Sequence, residues 1–376
     1  MIFSSIPWDF LWQRHQQIAS RLAKKGFDIL YFQNPIYLNP NELIRNYKDG
    51  NIFLMKKVMK HLYVVNLFLP DFRGRFKFFA EKPGLLIFKL HLKHLNFKPD
   101  IAIFYSIQFV FLLDALRLMK VKILYDCVDE ISGFSNLARA GSAILEAEEN
   151  LIKTSSTIIA SSKTLHEKIS KIRSGCVYVP NAVDFEHFNS ATQTIEKPPE
   201  IKNVKRPIVG FIGAVYDWIN VDLLCRLAES HPDYSILLVG PVNFGLDKLK
   251  KYSNVIMVGA KKYELLPPYL SFMDVCLIPF KINKLTRASN PIKLYEYLAA
   301  GKPVVSTALP EVYNNASEIV YIGKDDDDFI KKVEKAVNES KSENKLVVSK
   351  RISYARENSW EKRIKTIEKL LSNTQT

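Results

Sequence analysis

ASNPIKLYEYLAAGKPVVST occupies residues 288–307. It divides into a loop, a helix and a strand. Pro291 falls in the first turn of a helix read over 290–301, and Gly301 lies just past its end, the usual asymmetry of helix termini. KPVVS (302–306) then reads as a strand. Free backbone N–H groups at such a helix start favour an anion such as a diphosphate. Lys293 on the first turn could add a full positive charge. Glu296, one turn on, could accept hydrogen bonds from a ribose diol. On the residues alone, an ordinary capped amphipathic helix with both side chains in solvent is the stronger reading.

The same alternation fills the rest of the C-terminal half. PIVGFI (207–212) is a strand, 219–230 a helix, and 234–239, 255–258 and 274–278 are strands. Further upstream, 101–105, 121–125, 157–160 and 176–179 read as strands, with helices over 107–119, 142–153 and 163–172. The chain starts with a strand near 2–4, a loop through Pro7, Trp8 and Asp9, a helix ending before Gly26, and a strand over 27–32. Strands alternating with helices predict parallel sheets covered on both faces. The expected fold is α/β, with two doubly wound Rossmann-like domains facing across a cleft. Their bounds are read as 1–183 and 207–357, with a polar linker over 184–206 and a last helix over 358–376 returning to the first domain. Residues 34–98 show no clear period. Asp325 to Asp328 read as the first turn of a helix, where carboxylates oppose the dipole.

Bulk composition narrows the class. With 376 residues, two domains is the natural expectation. A hydrophobic share of 47% and a charged share of 24% exclude a disordered chain. Cys127, Cys176, Cys225 and Cys276 are isolated from one another, so reduced buried thiols and a cytoplasmic setting are expected, with no metal. MIFSSIPWDF does not read as a signal peptide, and no run reaches the length of a membrane span. The net charge of +14 is uneven, because residues 1–99 hold 16 Lys or Arg against 6 Asp or Glu. Such a half suggests an anionic partner or, equally, a merely soluble surface. FRGRFKFF (72–79) interleaves basic and aromatic side chains that could touch an anionic membrane.

The segment 288–307 resembles the donor-binding segment of GT-B glycosyltransferases, in particular glycosyltransferase family 4. The likeness extends along nearly the whole chain. IPWDFLWQRHQQIASRLAKKGFDILYF, LYDCVDEISGF, ASSKTL, VPNAVDFEHF, NVIMVGAKKYELLPPYLSFMDVCLIPF and SWEKRIKTIEKLL follow in the order of a bacterial subgroup that builds cell-surface polysaccharides, including teichuronic-acid-type enzymes. The resemblance implies a nucleoside-diphosphate sugar as donor and a glycan or polyprenyl-linked acceptor. It also implies retention of configuration and work at the inner membrane face, with no nucleic acid and no cofactor. In family 4 two glutamates with seven residues between them line the donor. Here the second is Glu296, and Ala288 stands at the first, so Ser289 or Asn290 would supply polar contacts.

The resemblance also distributes roles. Gly213 would let backbone approach the diphosphate, and the base would lie near Val258 and Gly259. The family's cation shortly after the glycine is missing from AVYDWIN, which leaves Lys293, then Arg287 and Lys261, as candidates. On the acceptor side Trp8, Asp9 and Gln13 are candidates, with Arg14 able to hold a phosphate. His15, Asp126 and Asp129 are the candidate catalytic groups, with structural histidine and capping carboxylates as the plainer readings. A nucleotide-sugar epimerase using Glu311 and Glu318, a non-catalytic GT-B subunit and a nucleic-acid-binding protein are the competing classes.

Overall fold

The computed structural model describes residues 1–49, 55–71, 77–134, 141–193, 195–342 and 344–372. The chain divides into two compact units. The first contains residues 1–161 and 165–179 and the chain from Ile364 on; the second contains residues 162–164 and 180–363.

Among the described residues the first unit carries ten strands. They are β1 (Ile2–Phe3), β2 (Ile29–Phe32), β3 (Ile36–Leu38), β4 (Met55–Met59), β5 (Leu62–Val65), β6 (Phe68–Pro70), β7 (Ile101–Phe104), β8 (Lys122–Cys127), β9 (Thr157–Ala160) and β10 (Cys176–Tyr178). Eight of them form one sheet in the order β10-β9-β8-β7-β1-β2-β5-β4, parallel except for the edge strand β4, and β3 pairs with β6 separately. The chain runs outward in both directions from the β1–β7 pair, so that pair is the switch point of the sheet.

The second unit carries β11 (Ile208–Ile212), β12 (Ser235–Val239), β13 (Val255–Met257), β14 (Val275–Ile278), β15 (Val304–Thr307) and β16 (Tyr321–Gly323), all parallel in the order β13-β12-β11-β14-β15-β16. Here the order reverses between β11 and β14. Alternation along β11 shows why both faces are covered. Ile208 and Ile212 join one core with Leu294, Tyr297 and Leu298, while Val209 and Phe211 join the other with Leu223, Phe329 and Val333. Each such fully buried aliphatic or aromatic side chain contributes about 1.5–3 kcal/mol, which fixes the sheet firmly under its loops.

Two expectations change. Residues 184–206, read as a linker, fold with the second unit. Phe185, Phe188, Ala191 and Ile201 are buried in its core, so their apolar spacing outweighs the polar composition around them. The helix read over 107–119 is a 3-10 segment, Ile107–Leu112, followed by a short α-helix, Leu113–Leu118. The acidic run behaves as expected, with Asp325 capping the helix Asp326–Lys341 by accepting from Asp328 N. All four cysteines are buried free thiols. Among the described residues no helix is long and apolar enough to cross a membrane. Residues 72–76, and the side chains through 81, lie outside the described residues, so the FRGRFKFF reading is not placed.

Candidate active site

The second unit concentrates its polar features beyond the carboxyl ends of β11, β12 and β14. β11 and β14 pair at Val209↔Val275 and Gly210↔Cys276. Beyond Gly210 the fork between them is closed by Tyr297, whose hydroxyl accepts from Ile212 N at 2.8 Å. Tyr297 lies on the helix Ile292–Ala299, so this bond seats that helix at the switch point. Gly213 follows β11 with φ +155°, and Gly240 follows β12 with φ +147°. A Cβ on Gly240 would lie 2.1 Å from Gly213 O, so the two loops cross in contact and only glycine fits. Gly240 N in turn donates to Gly259 O at 2.9 Å, and Val258 N to Leu238 O at 3.1 Å.

Glu296 is the central side chain. It is 1% exposed, Oε2 accepts from Lys293 Nζ at 2.7 Å, and Oε1 is buried with no hydrogen-bond partner. Burial raises the carboxyl pKa, and Lys293 opposes that rise. A buried acceptor left open is costly unless a ligand donor meets it. Lys293 also reaches Gly213, since a Cβ built there would be 3.6 Å from Lys293 Cε. The structure therefore brings Gly213, Lys293 and Glu296 together, as the motif suggested. His187 faces this corner too, stacked on Tyr263 at 4.5 Å with Nε2 3.0 Å from Tyr263 O, and it helps hold down the Glu296 pKa.

Other donor candidates have different partners. Lys261 pairs with Glu200 at 2.6 Å and lies over the Tyr269 ring, so its charge is already met; that bond pulls the Glu200 carboxyl down to about 2. Asn290 is 4% exposed. Its Nδ2 donates to Glu311 Oε2 at 2.8 Å, and Asn181 N donates to its Oδ1 at 3.2 Å. It holds the loop before the helix rather than offering its amide to a sugar. Glu311 is 1% exposed, and its bond to Asn290 makes it part of the framework that holds this loop. Glu318 is exposed on the surface. Ser289 Oγ donates back to Thr286 O at 2.9 Å. Arg287 is exposed, and Ala288 is buried at 1% exposure.

In the first unit the loop after β1 and the helix Arg14–Lys24 build a buried polar network. Ser4 Oγ lies 2.9 Å from His15 Nδ1 and 2.6 Å from Tyr31 Oη. His15 stacks on Tyr105 at 3.8 Å, and burial, reinforced by Arg14, pushes its pKa down to about 3. That corrects its reading as a base, because such a ring is a weak proton acceptor and stays neutral at physiological pH. Arg14 Nε donates to Asp126 Oδ2 at 2.8 Å, with side-chain exposures of 4% and 0%. The guanidinium is thus directed at Asp126 instead of an acceptor phosphate, and Asp126 is a buried strand residue, not a loop cap. Burial raises the Asp126 pKa against the pull of Arg14 and of Tyr105.

Trp8 is 8% exposed and packs edge-on to Tyr31 and Trp12, which makes it core. Asp9 is exposed and paired with Lys56 at 3.0 Å. Gln13 caps its helix, its backbone N donating to Gln16 Oε1 at 3.0 Å. Asp129 differs from all of these. It is half-buried, and burial lifts its carboxyl to about 6, near the working range of a general acid or base. Among the described residues no group of three or more His, Cys, Asp or Glu side chains is placed to hold a metal ion.

Solved structures cover nearly the whole chain: sucrose-phosphate synthase from Thermosynechococcus elongatus has a TM-score of 0.74 at 15% identity, covering 99% of this chain and 98% of that one. This is the GT-B glycosyltransferase fold. The Anabaena HepE protein, solved in complex with UDP and glucose, has a TM-score of 0.66 at 15% identity, covering 99% and 98% of the two GT-B chains. The trehalose-6-phosphate synthase OtsA has a TM-score of 0.72 at 13% identity, covering 99% and 98%. Residues 206–339 match the family Glycosyl transferases group 1. TuaH of Bacillus subtilis (strain 168), provisionally described as a teichuronic acid biosynthesis glycosyltransferase, is 30% identical over 239 residues. That match spans 59% of this GT-B chain and 60% of TuaH.

Sequence reasoning missed Gly240, Tyr297 and Asn181. Gly240 carried a signal, standing directly after SILLV as Gly213 stands after IVGFI. Tyr297 and Asn181 carried none, since their partners are distant in sequence.

Proposed function

We propose that this protein transfers a sugar from a nucleoside-diphosphate sugar to a glycan or polyprenyl-linked acceptor in the synthesis of a cell-surface polysaccharide. One observation carries the proposal. Glu296 keeps an open, buried carboxylate oxygen beside Lys293 and Gly213, at the switch point of a parallel sheet. A ribose hydroxyl is a donor that such an oxygen would take, and a diphosphate fits the glycine loop and helix start. The UDP and glucose named for the HepE structure and the provisional description of TuaH support the donor and the pathway class. Retention fits a chain whose candidate histidine base is so weakly basic, because the departing phosphate can then take the acceptor proton.

The acceptor work belongs to the inner face of the membrane in this reading. The first unit's excess of Lys and Arg supports it, as do Tyr37 on β3 and Ile44 and Tyr47 on the helix Pro40–Lys48, which are 50%, 54% and 56% exposed. Flotation with anionic vesicles tests that part, and failure to float removes the membrane partner. The transfer itself is tested by mass spectrometry, pairing UDP-, GDP- and dTDP-sugars with polyprenyl-diphosphate-linked saccharides. Glycan extension is expected for one donor. Binding without transfer or hydrolysis for every pair would instead make this a non-catalytic GT-B subunit, a role that Ala288 would suit.

A further inference from the structure

We propose that Lys281, at the carboxyl end of β14, is a phosphate-binding residue that supplies the positive charge missing from the loop after Gly213. The inference rests on the nucleotide-sugar reading above and names the group that meets the donor diphosphate. The loop AVYDWIN, residues 214–220, contains no Lys or Arg. Lys293, near Gly213, has its ammonium 2.7 Å from the Glu296 carboxylate, so much of its charge is already compensated. Lys261 is compensated by Glu200 in the same way.

Lys281 has neither problem. Its Nζ donates to Asp217 O at 2.7 Å and lies 4.7 Å from the Phe244 ring centroid. Its contacts include no carboxylate among the described residues. One of three ammonium donors is used by a neutral carbonyl, which leaves two N–H groups and the full charge for an anion. Contact with an aromatic face orients a cation without neutralising it.

Its placement is equally specific. β11 and β14 flank the switch point, Gly213 leaves the first and Lys281 follows the second by three residues. The two loops are laced together. Lys281 N donates to Trp218 O at 2.8 Å, Asn220 N to Pro279 O at 2.8 Å, and Ile219 bridges Phe280. Thr307 Oγ1 fixes Phe280 O from the next strand at 2.8 Å. The cation is therefore held against the loop that starts at Gly213 by backbone bonds, from the neighbouring strand instead of from the loop itself. An ammonium so held can contact diphosphate oxygens and stabilise them as the nucleotide leaves.

The test uses full-length protein, inorganic pyrophosphate, UDP and uridine, with binding measured by calorimetry for wild type, Lys281→Met and Lys281→Arg. Lys281→Met is expected to weaken pyrophosphate and UDP by about tenfold or more, leave uridine unchanged and flatten the salt dependence of UDP binding. Lys281→Arg is expected to recover most of the loss. Unchanged uridine binding certifies that the Met variant is folded; if it is not, Lys281→Gln takes its place. Equal UDP-to-uridine affinity ratios in wild type and the folded variant would overturn the assignment and leave the nucleotide reading standing. Wild type that binds no UDP, uridine or pyrophosphate would overturn both.

Discussion

Glu296→Gln tests whether the open oxygen of Glu296 receives a ribose. The substitution keeps the side-chain shape and removes the charge. Burial already disfavours that charge, so the melting temperature should hold or rise. The effect on binding is different. A hydrogen bond to a charged acceptor contributes about 1.5–3 kcal/mol, which is roughly a ten- to hundredfold change in affinity. Oε2 is engaged by Lys293 at 2.7 Å, so Oε1 is the oxygen available to a hydroxyl. The decisive measurement is a cycle between protein and ligand. Wild type and Glu296→Gln are each titrated with UDP and with 2′,3′-dideoxy-UDP. Wild type should prefer UDP by roughly that factor, and the variant should lose most of the preference. The dideoxy ligand should bind both proteins almost alike. If Glu296→Gln weakened both ligands equally, the carboxylate would be acting through Lys293 or through packing, and the ribose assignment would be wrong.

Asp129→Asn should remove the acid limb of the pH–rate profile, which in wild type should rise through about pH 6, where its carboxyl ionises; an unchanged limb would exclude Asp129 from the chemistry. His15 makes the fold sensitive to acid. Its folded pKa of about 3 lies below the ordinary value of 6.5, so its share of stability is full above pH 6.5 and is lost as pH falls toward 3. Between pH 6.5 and 5 that loss is about 2 kcal/mol, and urea unfolding of wild type and His15→Gln at both pH values should show the difference. Gly240→Ala places a methyl 2.1 Å from Gly213 O at a φ that L residues rarely adopt, so it should destabilise the protein by about 2–4 kcal/mol or more in a thermal melt.

The alternation of strands and helices was legible because each element is periodic by itself. The 292–299 helix was legible for the same reason, with Glu296 and Lys293 on neighbouring turns of one short segment. Residues 34–98 were not, because β3 to β6 are only three to five residues long and β4 turns antiparallel at the sheet edge. A strand that short shows no reliable period. Site residues failed where their partners are far away in sequence. Lys261 looks available until Glu200 is found beside it, and Arg14 looks available until Asp126 is. Asn290 looked like a sugar contact, but Glu311 and Asn181 claim it. Local sequence carries propensity, whereas neutralisation is decided by tertiary contacts.

That difference explains how the two switch points are used. In the first unit Ser4 bonds to both His15 and Tyr31, and Arg14 faces Asp126, so those groups fix the loop after β1 in place. Among the described residues each unit leaves a buried carboxylate oxygen unmatched, Asp126 Oδ1 in the first and Glu296 Oε1 in the second, but in the second unit it is joined by a lysine that keeps its charge, Lys281, at an adjacent loop of the same sheet. Buried polar groups that satisfy each other rigidify a fold, while a buried acceptor left open raises the energy of the free protein and is relieved by a ligand. On the proposed reading, the arrangement gives tight recognition to the nucleotide. It leaves acceptor choice to accessible groups such as Asp129, whose half-buried carboxyl at about 6 can change charge in the working range. Variants of Arg14 or His15 should consequently lower stability first and alter acceptor kinetics only as the fold loosens, whereas Asp129→Asn should alter kinetics while stability holds or rises above about pH 4, because burial disfavours the charge it removes. Loss of acceptor affinity in a fully stable Arg14→Lys protein would reverse that assignment, because it would separate the effect of the guanidinium on the acceptor from its effect on the fold.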